Sequence, residues 1–176
     1  MKKRLSSCGL LCIVLAFAAT VSAAPAAASD AAGDKALHYP LTMAKMHAFY
    51  EAQLNIMKAA FASKDPKLVD SMSMDADASF DETVAKFEKQ PAIKKAIEQA
   101  GLTTAEYVSI TDAYMGAAFG AAYVKMKPDA PLPKVYDRHN IDFFKTHEKD
   151  LKAMQKEFMG KIQQLSAEAG GDEAGG

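Results

Sequence analysis

The chain has 176 residues, 49% of them hydrophobic and 24% charged, with a formal charge of -1. This is ordinary globular composition, and it excludes collagen-like, wholly disordered and disulfide-scaffold classes. The length suits one domain, and the near-neutral balance supplies no basic field for nucleic acid.

Residues 1–23 read as a signal peptide. Lys2, Lys3 and Arg4 precede an apolar run, Leu10 to Val21, that is too short to span a bilayer comfortably. Val21-Ser22-Ala23 then offers the small side chains that a signal peptidase reads, so cleavage is predicted after Ala23. The product is expected in the periplasm or the medium, with no membrane span left after cleavage. Both cysteines, Cys8 and Cys12, fall in this segment. The exported chain therefore has no disulfide, CxxC or CxxCH element, and its stability must come from packing.

Residues 24–40 are alanine-rich and small, and read as a flexible leader. Residues 41–166 read as a helical bundle domain, and residues 167–176 as a disordered acidic tail. Within the domain, Thr42 is placed to cap a helix on which Met43, Met46, Tyr50, Leu54, Met57 and Phe61 recur at steps of three and four. Asp65-Pro66 opens a short helix with Leu68, Val69 and Met72. Ser79 and Glu82 have capping-box spacing ahead of Phe80, Val84 and Phe87. Pro91 ends that helix and starts another, carrying Ile93 and Ile97 and stopped by Gly101.

Thr103 and Glu106 form a second capping box, with Leu102 placed to staple onto Tyr107. The helix they open runs to about Lys127. It mixes large apolar residues (Val108, Met115, Phe119, Met126) with small ones (Ala113, Gly116, Ala117, Gly120, Ala121). A helix with no clear polar face is expected at the centre. Pro128, Pro131 and Pro133 enforce a loop. Asn140 is then placed to cap a last long helix, whose Phe144, Leu151, Phe158 and Leu165 fall seven apart, beside Ile141, Met154 and Ile162. No segment alternates with period two. The expected fold is all-α: a single-domain helical bundle of three long and about three short helices.

Three polar residues fall among these apolar positions, one on each long helix: His47, Asp112 and His147. They are expected to face inward with hydrogen-bonding partners, as a structural polar cluster or as a ligand- or metal-binding site. Met72 and Met74 place two thioethers near a loop, a pattern suited to copper. Met43 or Met46 with His147 is a possible axial pair for haem. Most of the nine methionines that follow the signal segment fall at core spacing, where Met fills gaps. Gly116 and Gly120 make a GxxxG pattern, read here as close backbone packing in the bundle. No phosphate loop, nucleophile elbow or HExxH motif occurs; His147-Glu148 begins the last, but Leu151 stands at its second histidine.

Leu41-Thr42 and Leu102-Thr103-Thr104-Ala105-Glu106 resemble the LTxxQ motifs of the Spy/CpxP periplasmic chaperones, with Lys45 and Glu106 in place of the glutamines. More of the chain, Leu102 to Leu151, resembles small secreted helical proteins of proteobacteria that have no assigned function. The order is a capped helix, a proline loop and an Asn-Ile-Asp-Phe-Phe helix. That resemblance implies an exported helical domain and no particular activity. The expected function is therefore a non-enzymatic one: binding a protein or small-molecule partner, with no cofactor. The alternatives are periplasmic handling of copper or haem, and a stress chaperone.

Overall fold

The structure is a computed structural model and describes residues 31–63, 68 and 77–171. In chain order its helices are α1 (Ala31–Leu37), α2 (Met43–Ser63), α3 (Phe80–Glu88), α4 (Pro91–Gln99), α5 (Thr104–Met126), α6 (Arg138–Thr146) and α7 (Glu148–Gly171). No strand occurs among the described residues. The protein is an all-α bundle.

The starts of α2, α3, α4 and α5 have local causes. The Thr42 hydroxyl accepts the Lys45 N–H at 3.3 Å at the head of α2. Both capping boxes form in full, Ser79 with Glu82 and Thr103 with Glu106, and each satisfies two otherwise orphaned N–H groups. Pro91 occupies the first turn of α4. That helix ends where Gly101 takes φ +78°, its N–H bonding to Glu98 and the Leu102 N–H reaching back to Ile97. Only glycine adopts that conformation without strain, and the bond pattern is a Schellman motif.

Three expectations need correction. The leader is not structureless throughout, because residues 31–37 form α1. Its Ala36 is buried, and Leu37 lies against the open face of Gly116 on α5. Alanine is the strongest helix former, and the small side chains let α1 settle closely on α5. The last long helix is not continuous. Asp137, not Asn140, is the cap of α6, accepting the Asn140 N–H at 2.9 Å. The chain then turns at His147 and restarts as α7, where Glu148 and Asp150 favour a new N-terminus. Finally, α7 continues to Gly171, into the expected acidic tail. The short helix expected from Asp65-Pro66 lies almost wholly outside the described residues, as do Met72 and Met74; of it, only Leu68 is seen, helical and buried.

Helix α2 packs against α4 and α7, while α5 packs against α1, α3 and α6. Met46, Ile93, Ile97, Val108, Ile110 and Leu151 are almost fully enclosed between these two groups. Burying one such side chain stabilises the fold by roughly 1.5–3 kcal/mol. The most deeply buried stripe of α2 is Met46, Phe49, Ala52, Ile56 and Ala60. It is rotated from the expected stripe, so Tyr50, Leu54 and Met57 are only half-buried. Gly120 on α5 brings α6 into contact: a β-carbon there would stand 2.5 Å from Ile141 Cδ1. No helix among the described residues is long and apolar enough to cross a membrane.

Candidate functional site

The rotation of α2 leaves an apolar strip unfilled between α2 and α5. There the bundle holds a solvent-connected cavity of about 550 Å³. Helix α2 supplies Phe49, Tyr50, Gln53, Ile56 and Met57. The period of α5 turns Tyr107, Thr111, Tyr114, Met115, Ala118 and Phe119 toward it. Phe87, Ile93 and Phe144 come from α3, α4 and α6, and Gln155, Phe158 and Met159 from α7. The volume is typical of a small-molecule site.

Aromatic rings make two walls. In one, Phe87, Tyr107 and Phe49 follow one another across α3, α5 and α2, with centroids 6.1 and 5.3 Å apart. In the other, Tyr50 meets Phe158 at 5.7 Å, and Tyr114 meets Phe144 at 5.7 Å. These separations are those of favourable tilted ring pairs. Phe119 is 57% exposed and forms part of the rim.

Among the described residues, no Asp, Glu, Lys, Arg or His lines the cavity. Its polar groups are those of Gln53, Thr111, Gln155 and three tyrosines. The Thr111 hydroxyl is taken up locally, donating to the Tyr107 carbonyl at 2.9 Å. The Tyr107 phenol is pushed up to about 12 by burial, a hydrogen bond with Gln53 opposing the shift. Burial, and then the nearby Tyr114 phenol, push Tyr50 far above the usual phenol value. Both phenols are neutral throughout the physiological range.

The residues singled out by sequence lie elsewhere. His47 is exposed, in a separate groove of about 330 Å³ between α2 and α7 that also holds Glu51, Lys58, Glu157 and Lys161. Lys161 pairs with Glu157 at 2.6 Å. Tyr50 and Phe158 divide this charged groove from the cavity, since both line each of them. His147 is the C-cap of α6, its ring 4.8 Å from Phe143 and its Nδ1 3.6 Å from the Asp150 carboxylate. Asp112 is half-buried on α5. The expectation that all three point inward fails, because helix periodicity alone misplaced the phase of α2 and missed the break at His147. Among the described residues, no group of three or more His, Cys, Asp or Glu is arranged to hold a metal ion. Met46, half of a possible haem pair, is fully enclosed in the core.

The cavity residues were visible in the sequence only as core. Their one distinguishing signal is that Tyr50, Tyr107 and Tyr114, three phenols needing polar partners, sit at apolar positions of two facing helices. No family model, curated protein or solved structure matches the chain.

Proposed function

We propose that this is an exported, non-enzymatic binding protein that holds a small uncharged apolar molecule in the cavity between α2 and α5. One observation carries the reading: a cavity of about 550 Å³ is walled by aromatic rings and methionines, with no ionised side chain among the described residues that line it. An apolar ligand entering it exchanges water for aromatic and thioether walls, while a charged one loses hydration and meets no counter-ion among the described lining residues. The thioethers of Met57, Met115 and Met159 adapt to the shape of the guest. Export is supported by the residues of the first 23 positions.

The test is a fluorescence titration of the purified protein with N-phenylnaphthylamine, a neutral apolar dye that brightens on leaving water. The reading predicts saturable binding with one dye per chain. Absence of saturable binding would contradict it. A second reading, as a chaperone for apolar client segments, draws on Phe119 at the cavity rim. It predicts suppression of client aggregation that the dye competes away; aggregation unaffected by the protein removes it.

A further inference from the structure

Phe49 joins the two aromatic walls of the cavity into one network. Its ring lies 5.3 Å from that of Tyr107, 5.6 Å from Tyr50 and 6.5 Å from Tyr114. Tyr50 and Tyr114 carry the network on to Phe158 and Phe144, each at 5.7 Å. These rings stand on α2, α5, α6 and α7, and all of them line the cavity. No pair among them is stacked flat, since their planes meet at angles between 31° and 68°. Tilted rings leave faces that their neighbours do not cover, so a guest meets electron-rich faces as well as electron-poor edges. Phe49 and Tyr107 are buried in the core, which sets the network before any ligand arrives. Beside it are the thioethers of Met57, Met115 and Met159, a group that makes favourable contacts with aromatic ring edges. Among the described lining residues, Ile56 and Ile93 are the only branched aliphatics.

We infer that this cavity is a site for flat aromatic molecules, selecting an aromatic skeleton over a saturated ring or a linear chain of equal carbon number. This rests on the reading of the cavity as a ligand site. Non-directional burial alone gives the opposite order, because it follows apolar area, which is largest for the linear chain. Two effects reverse it. An aromatic guest gains from each ring pair beyond the area it buries, by about two- to tenfold in affinity per pair. With rings on four helices around one cavity, a guest can make more than one such pair. A saturated ring of the same skeleton has no quadrupole and forgoes that gain. A linear chain forgoes it too, and must also freeze its own torsions in order to fit, whereas a fused aromatic skeleton has none to lose.

The experiment is displacement of N-phenylnaphthylamine from the full chain by 2-naphthol, decahydro-2-naphthol and 1-decanol, with excitation where the competitors do not absorb. All three are neutral at pH 7 and share ten carbons and one hydroxyl, so the polar group cancels in the comparison. Naphthol is expected to compete about three- to tenfold more tightly than its hydrogenated form, and more tightly than decanol. Phe144→Leu and Phe158→Leu each remove one half-buried ring and keep an apolar side chain. Each should weaken naphthol by about two- to tenfold and leave decahydronaphthol within about twofold. Decahydronaphthol or decanol matching naphthol on the unmodified protein would overturn the inference and leave the cavity reading standing. Equal weakening of naphthol and decahydronaphthol in both variants would overturn it as well. Failure of the dye itself to bind overturns both. The comparison of three ligands on the unmodified chain decides the matter even if a variant does not fold.

Discussion

The side-chain oxygen of Asn140 accepts the backbone N–H of Leu41 at 3.0 Å, joining positions 99 apart in sequence at a buried point. The same amide donates to the Tyr39 carbonyl at 3.0 Å. Asn140 is 1% exposed, and with these bonds it ties the segment between α1 and α2 to the first turn of α6. Replacing it with alanine leaves a buried donor and acceptor unmatched. Asn140→Ala should lower stability by about 2 kcal/mol. Chemical denaturation measures the loss, and hydrogen exchange should show the Leu41 amide losing protection first.

Glycines on two helices should respond in opposite directions. Gly120→Ala drives a methyl group into Ile141, which is itself fully enclosed, and should destabilise by about 1–3 kcal/mol. Gly160 lies on α7 with nothing within 4 Å of its missing β-carbon. Gly160→Ala should therefore stabilise by about 0.5–1 kcal/mol through helix propensity. Thermal unfolding of the two variants side by side checks both signs.

Asp137 links α6 to the N-terminal segment electrostatically. Burial raises its pKa, but a 2.8 Å contact with His38 and hydrogen bonds from the Asn140 and His139 amides outweigh that, leaving the value below the ordinary 3.8. A depressed carboxylate contributes stability that is fully present above its unfolded pKa and lost as the pH falls through the folded one. The unmodified protein should therefore be more stable than Asp137→Asn at neutral pH, with the difference shrinking below about pH 4. Midpoints of the two proteins measured across that range test the sign; a gap that widens in acid contradicts it.

Ala118 lies on the cavity wall contributed by α5. A large side chain there occupies the space a ligand would take. Ala118→Trp should keep the helical circular dichroism of the fold and abolish dye binding, a loss of more than about tenfold in affinity. Full dye binding by a folded Ala118→Trp would place the dye elsewhere.

Much of the fold is legible in the sequence because its signals are local. The two capping boxes, Pro91 and Gly101 each act within one turn of a helix, and all four behave as their residue types require. What escaped depends on distant partners. Asn140 has the chemistry of a cap, but Asp137, three residues earlier, takes that place and frees its side chain to hold Leu41. The α1 helix is hard to see because alanine and glycine give no apolar period; its burial comes from the matching small face at Gly116. His47 fell on an apolar stripe of α2 that proved not to be the most buried one. The candidate site was least legible of all. Periodicity marks residues as apolar and inward, and it carries no information on whether facing side chains meet or leave a gap. Phe49, Tyr50 and Tyr107 look the same in sequence whether they close a core or wall a cavity.

The most direct test of ligand binding between α2 and α5 is methyl NMR of the protein labelled at its methionine methyl carbons, titrated with naphthol. Met57, Met115 and Met159 line the cavity, whereas Met126 is 64% exposed at the end of α5 and Met46 is enclosed in the core. The three cavity methyls should shift together and saturate, with Met46 and Met126 almost unmoved. Shifts confined to Met126, or no saturable shift at any of the three, would contradict the account.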